Sequence, residues 1–363
     1  MLVNGKHYTS IWIDRKNPSL IKTINQQVLP YRFEIITLSS VNDVIDAIKT
    51  MKIRGAPLIG VASAFGVYLA TLEAEKKFKK LSNYNLYIDK QIQKLTNTRP
   101  TAINLFRALN EAKDLIRKEN DISLKKEVAK HYALSLLNSE LERSKKIGEF
   151  GLKIIKQYAK KKNNKCLNIL THCNAGWLAC VDYGTATAPI YFAAKEGINL
   201  HVWIEETRPK NQGSLLTSWE FLNNKIPHTI ITDNAGGYVM EKGMVDLVIV
   251  GADRVSRVGD VCNKIGTYKT ALAAKDNKIP FYVALPTSSI DMNITDAYSQ
   301  IPIEIRSPRE VKYIYGLYKK KIIEVLISPV KSPAKNYAFD ITPSRLISGW
   351  ITEKGIFHHF KHI

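Results

Sequence analysis

Apolar residues along this chain follow two different periods. Val41, Val44, Ile45 and Ile48 share one helical face across Val41 to Met51, and Ile103, Leu105, Phe106, Leu109 and Leu115 do the same across Thr101 to Ile116. Pro100, directly before the second run, is a favoured helix-start residue. From Asp121 to Lys162, Leu, Ile and Ala keep helical spacing within a Lys- and Glu-rich stretch, which predicts a long helical connector. Past Lys165 the pattern changes. Short apolar runs at Leu167 to Leu170, Leu200 to Ile204, His228 to Ile231, Leu247 to Val250 and Phe281 to Leu285 are separated by amphipathic segments of helical length. Strand alternating with helix predicts an α/β fold whose doubly wound parallel sheet is covered by helices on both faces. The chain then divides into a mainly helical N-terminal domain, residues 1–145, and a C-terminal domain built on the parallel sheet, residues 146–363.

Composition narrows the class. At 45% hydrophobic, 363 residues can bury a sizeable core. The 53 Lys and Arg exceed the 33 Asp and Glu by 20, a balance that suits an anionic partner. The lysines are dispersed in pairs and triplets such as Lys160-Lys161-Lys162, and no RNP string, helix-turn-helix cue or zinc-finger spacing accompanies them, so no nucleic-acid partner is expected. Cys166, Cys173, Cys180 and Cys262 form no C-x-x-C pair, so neither a disulfide framework nor a structural zinc is expected, and the default compartment is a reducing cytoplasm. Gly55 to Leu72 is uncharged and approaches the length of a membrane span. Its Gly, Ala and Pro content points instead to a helix buried in a domain, with no membrane partner. The C-terminal His358, His359 and His362 read as an exposed tail.

In a parallel α/β sheet, ligands collect at the carboxyl ends of the strands. Here those ends carry Thr171-His172-Cys173-Asn174-Ala175-Gly176, Glu205-Glu206-Thr207-Arg208-Pro209, Thr232-Asp233-Asn234-Ala235-Gly236-Gly237 and Gly251-Ala252-Asp253-Arg254. No G-x-G-x-x-G or Walker-type string follows any of them, which argues against a dinucleotide cofactor. Cys173 precedes a turn expected to open the next helix, where a thiol can have a lowered pKa; the alternative is an inert buried cysteine. Asp253 emerges from an apolar strand, and burial there would raise its pKa and make it a usable acid; the alternative is a helix cap or a salt bridge with Arg254. Arg54-Gly55-Ala56-Pro57 and Arg99-Pro100-Thr101 each pair an Arg with a helix start, which suits phosphate. Gln212, Asn263 and Lys264 could add donors and a further charge.

Taken together, Arg54-Gly55-Ala56-Pro57, Thr171-His172-Cys173-Asn174-Ala175-Gly176, Glu206-Thr207-Arg208-Pro209, Gly251-Ala252-Asp253-Arg254 and Asn263-Lys264-Ile265-Gly266-Thr267-Tyr268 resemble the S-methyl-5-thioribose-1-phosphate isomerase family of methionine salvage. The likeness covers nearly the whole chain. It implies a helical N-terminal domain with a small antiparallel sheet, a Rossmann-like C-terminal domain, an active site between them, a homodimer, and an aldose–ketose isomerisation that needs no metal or organic cofactor. It also implies roles: Asp253 as proton donor, Cys173 as the residue that stabilises the transition state, and Arg54, Gly55, Ala56, Arg99, Gln212, Asn263 and Lys264 as substrate-binding residues. Asn234 to Tyr238 and Trp177 to Asp182 depart from the commoner pattern and are expected to line the pocket near the sugar's 5-substituent. Related isomerases act on 5-deoxyribose 1-phosphate or ribose 1,5-bisphosphate. A relative from another class would be a non-catalytic subunit similar to those of the translation-initiation exchange factor.

Overall fold

The computed structural model describes residues 1–99 and 102–360, so Pro100, Thr101 and His362 lie outside the described residues. Near the N-terminus, strands Ile11–Ile13, Ile21–Ile24 and Ile35–Leu38 form a small antiparallel sheet. Five helices follow: α1 (Val41–Lys49), α2 (Ala56–Lys77), α3 (Leu81–Thr96), α4 (Ile103–Lys118) and α5 (Ile122–Lys161). Helix α1 starts where a capping box allows it: the Ser40 hydroxyl accepts from the Asp43 N–H, and the Asp43 carboxylate accepts from the Ser40 N–H. Helix α2 is the uncharged stretch noted in the sequence. It packs against α1, α3, α4 and α5, and 89% of its most apolar window is buried inside the protein, as a core helix requires. Helix α5 runs 40 residues from its Asp121 cap, and Lys160 and Lys161 complement the dipole at its end. Its Ala129 and Ala133 belong to the core around α2, whereas Ile147, Ile154 and Ile155 belong to a core that continues onto the large sheet.

The large sheet has seven strands, in spatial order Gly355–Phe357, Gly349–Thr352, Phe281–Ala284, Leu247–Val250, Leu167–His172, Leu200–Glu205 and His228–Ile231. All are parallel except the edge strand Gly355–Phe357. Numbered along the chain, the six parallel strands run 3-2-1-4-5-6, the Rossmann order. Alternation across the sheet is clean. Ile169, Val202 and Ile249 face α5 and the helix Ala188–Lys195, while Leu170, Val248 and Val250 face the helices Ala235–Glu241 and Thr267–Asp276. The direction of progression reverses between Leu167–His172 and Leu247–Val250, which pair through Leu170 and Val248. A crevice opens there at the carboxyl ends.

The periodicity did not reveal a second sheet. Strands Ile290–Asp291, Arg254–Ser256, Val261–Lys264 and Phe339–Thr342 pair side by side beyond the end of Leu247–Val250. At two to four residues each, they are too short to show a pattern in the sequence. Another hairpin, Tyr313–Tyr318 with Lys321–Leu326, projects from the C-terminal half.

Candidate active site

Cys173 follows the strand Leu167–His172 on one side of the crevice, and Asp253 lies three residues past Leu247–Val250 on the other. Cys173 has φ 65°, the left-handed region, and neighbours hold it there. Its N–H donates to Thr207 Oγ1 (2.8 Å), and its carbonyl accepts from Thr217 Oγ1 (2.7 Å). The turn after it does not open an α-helix, contrary to the sequence reading. A single short turn, Trp177–Ala179, follows, and the next α-helix begins at Ala188. Burial pushes the Cys173 thiol up, and the nearby Asp253 adds to this against the opposing pull of Arg54 and Lys264. Cys173 is therefore a neutral thiol in the resting site and not the activated thiolate that a helix N-terminus would favour.

Asp253 leads into the second sheet, its N–H donating to the Cys262 carbonyl at 3.0 Å. The salt bridge with Arg254 does not form, because Arg254 turns to Asp291, its Nε 3.1 Å from Oδ2. Burial raises the Asp253 pKa, partly offset by Lys264, Arg99 and Arg54. The adjacent strand brings Asn263 and Lys264. Lys264 donates to the Ala338 carbonyl (2.8 Å), its ammonium sits 4.6 Å from the Phe339 ring centre, and burial lowers its pKa. Asn263 Nδ2 donates to Thr267 Oγ1 at 3.0 Å.

The N-terminal half closes the site. Gly55 (φ 93°) begins α2 in a conformation that suits glycine, and a Cβ there would lie 2.3 Å from the Ala179 carbonyl oxygen. That contact sets the first turn of α2 against the site with no side-chain cap. Arg54 is clamped by Asn174, with Nη1 donating to Oδ1 (2.7 Å) and Nη2 to the backbone oxygen (2.8 Å). Arg99 pairs with Glu304 at 3.3 Å. Gln212 is buried, and its Oε1 has no hydrogen-bond partner among the described residues.

Arg54, Gly55, Ala56, Arg99, Cys173, Gln212, Asp253, Asn263 and Lys264 all line one cavity of about 690 Å³, its open mouth included. Met51, Thr185, Pro286 and Phe339 line it too; Pro286 directly follows the apolar run Phe281 to Leu285, at a strand end, whereas Met51 and Thr185 carried no sequence signal. Of the two segments expected near a 5-substituent, Ala179 and Cys180 reach the wall. Asn234 to Tyr238 do not, because they follow the outer strand His228–Ile231, two strands from the crevice.

Two buried carboxylates brace this wall. Glu220 accepts from Asn174 Nδ2 (2.9 Å), the N–H groups of Trp177 (3.1 Å) and Leu178 (3.0 Å), and the Tyr191 hydroxyl (3.0 Å). It thereby holds the Asn174 side chain that clamps Arg54. Glu205 meets His172 and lies near Asp233, a grouping close enough to hold a metal ion. His172 has no lone pair to offer, since Nδ1 faces Glu205 Oε2 (2.6 Å) and Nε2 faces the Ile265 carbonyl (2.8 Å), while the Lys269 ammonium lies 3.8 Å from Glu205 Oε1.

Residues 52–359 match the model of the initiation factor 2 subunit family. Methylthioribose-1-phosphate isomerase of Desulfatibacillum aliphaticivorans is 49% identical over 356 residues, covering 98% of this chain and 95% of its own. The enzyme of the same name from Brucella anthropi is 48% identical over 358 residues, covering 98% and 96%. Among solved structures, 5-methylthioribose 1-phosphate isomerase of Pyrococcus horikoshii superposes with TM-score 0.84 at 37% identity, over 98% of this chain and 94% of that one. The translation initiation factor eIF-2B subunit delta of A. fulgidus superposes with TM-score 0.78 at 38% identity, over 97% and 96%. With likeness of this extent, joined to a parallel sheet and a cavity at its strand ends where the sequence pattern placed the chemistry, the chain belongs to the initiation factor 2 subunit family and, within it, to the methylthioribose-1-phosphate isomerases.

Proposed function

We propose that this protein converts S-methyl-5-thioribose 1-phosphate to the corresponding ribulose 1-phosphate, with Asp253 and Cys173 carrying the chemistry. The observation that supports this most directly is the convergence of a carboxyl held above its ordinary pKa, a neutral thiol, two arginines and a lysine on one cavity. In an aldose phosphorylated on O1, the ring cannot open to a free aldehyde, so opening needs an acid at the ring oxygen. Protonated Asp253 supplies that proton. Hydrogen then moves from C2 to C1, and the C2 hydroxyl becomes a ketone by giving its proton to the Asp253 carboxylate, which restores the acid, while the Cys173 S–H steadies the charge that develops beside it. The phosphate does not react. Arg54, Arg99, Lys264, the Gln212 and Asn263 amides and the first turn of α2 at Gly55 and Ala56 anchor it, which orients C1 and C2.

A non-catalytic role like that of an initiation-factor subunit would leave the acid and the thiol in this cavity without a task. The family likeness also supports a homodimer working in the cytoplasm, testable by sedimentation and fractionation. Incubation with S-methyl-5-thioribose 1-phosphate, 5-deoxyribose 1-phosphate and ribose 1,5-bisphosphate, followed by carbon NMR for a C2 ketone, tests reaction and substrate together. Asp253→Asn and Cys173→Ala are expected to lose most turnover while still binding substrate. Near-normal turnover in either variant refutes the role assigned to that residue.

A further inference from the structure

We infer that His172 is a positioning residue that fixes Lys264 relative to Cys173 through its hydrogen bond to the Ile265 carbonyl. The inference rests on the isomerase reading above. Three observations carry it. His172 is fully buried at the end of the first parallel strand, one residue before Cys173, and Ile265 is one residue after Lys264. The 2.8 Å bond from Nε2 to the Ile265 oxygen therefore spans 93 residues of sequence to join the backbones flanking the two side chains. The surroundings are built to admit this ring and no bulkier neighbour. Gly266 has φ 105°, and a Cβ there would lie 2.8 Å from His172 Cε1. The loop is held from its other side as well, the Gly266 N–H donating to Asp340 Oδ2 at 2.7 Å.

Glu205 orients the ring. It ends the neighbouring strand, directly opposite His172 in the parallel register, and its Oε2 meets Nδ1 at 2.6 Å while also accepting from the Thr270 hydroxyl at 2.8 Å. A carbonyl on one nitrogen and a carboxylate on the other are both acceptors, so the ring carries protons at both positions. Burial opposes that charge, but the hydrogen bond and charge of Glu205, aided by Asp233, outweigh it and leave the His172 pKa above its usual value. A buried ion pair is a weak source of net stability. Holding two site residues in register is a use that fits its cost.

Asn and Gln at position 172 separate the two bonds. An Asn amide lies nearer the place of Nδ1 and keeps the bond to Glu205, whereas a Gln amide lies nearer Nε2 and keeps the bond to Ile265. With S-methyl-5-thioribose 1-phosphate, His172→Asn is expected to lower kcat about tenfold and raise KM by a similar factor, with His172→Gln recovering most of both. Glu205→Gln, which can hold a neutral ring with Nε2–H still on Ile265, is expected to stay within about fivefold of wild type. In nitrogen NMR of histidine-labelled protein, His172 is expected to carry a proton at Nε2 in the wild type and in the Glu205→Gln variant alike. Equal damage in Asn and Gln variants, or a wild-type ring protonated only at Nδ1, would overturn the inference. Failure of wild-type turnover on every sugar phosphate would instead refute the isomerase reading and leave the NMR outcome standing.

Discussion

Glu220 offers a sharp test of how the site is held. Its carboxylate is fully buried and takes four donors: the Trp177 and Leu178 N–H groups, Asn174 Nδ2 and the Tyr191 hydroxyl. Truncation by Glu220→Ala takes the acceptor from all four, although Asn174 Nδ2 keeps Thr217 Oγ1 at 3.1 Å. At about 1–3 kcal/mol for each buried unsatisfied group, and with the Tyr191 hydroxyl free to turn elsewhere, the two stranded N–H groups of Trp177 and Leu178 should cost about 2–6 kcal/mol. That is a large part of the 5–15 kcal/mol typical of a folded domain. Glu220→Gln keeps the acceptor for Asn174 and Leu178 and places an amide against the Trp177 N–H, so its cost should be about 1–3 kcal/mol. Urea unfolding followed by tryptophan fluorescence reads both. The structure also ties this brace to function, because Glu220 holds Asn174 and Asn174 clamps Arg54. A Glu220→Gln protein that still folds should show a raised KM for the sugar phosphate. If Glu220→Ala leaves both the urea midpoint and KM unchanged, the brace has no energetic weight and the reasoning fails.

Asp253 works as an acid only while protonated, so its raised pKa should carry turnover above the ordinary carboxylate range, with loss on the alkaline side as pH passes the raised value; a profile of kcat/KM against pH checks this. The same shift means that folding loses stability as pH rises through that interval, so Asp253→Asn should have a higher urea midpoint than wild type at pH 8 and no advantage at pH 4. Arg99→Ala removes a contact made to the phosphate in ground and transition states alike, so KM should rise on the order of 10- to 100-fold with kcat little changed. Gly55→Ala sets a Cβ into the Ala179 backbone at φ 93° and should cost at least about 2 kcal/mol, measured by urea unfolding, along with substrate affinity.

The residues legible in the sequence were those that one rule of the fold could place. Cys173 and Asp253 end the first and fourth parallel strands, so the strand-end rule found both, and the crevice lies between them because progression reverses there. The departure from the family pattern at Asn234 to Tyr238 misled. That segment also follows a strand, but spatial order is not written in local sequence, and His228–Ile231 is an outer strand. Of the two readings of the thiol, the lowered pKa failed for a local reason: three residues of tight turn stand where a helix was expected, so burial and not a dipole sets its pKa. Glu220 escaped notice because its work is done on a side chain 46 residues away, and Glu205, though marked at a strand end, gave no sign of its bond to His172, 33 residues back, a distance that no periodicity reports.

Helix α5 runs through both cores. At about 1.5 Å per residue its 40 residues form a rod roughly 60 Å long, bedded at one end among the N-terminal helices and at the other beneath the large sheet. Gly148 and Gly151 let the helix Ala188–Lys195 settle directly onto it, with no room for even a methyl group at either glycine. Such a spar carries force: to widen the mouth between the halves, the molecule has to flex a continuous helix instead of swinging on a loop, so breathing at the sugar's doorway and strain along α5 are one movement.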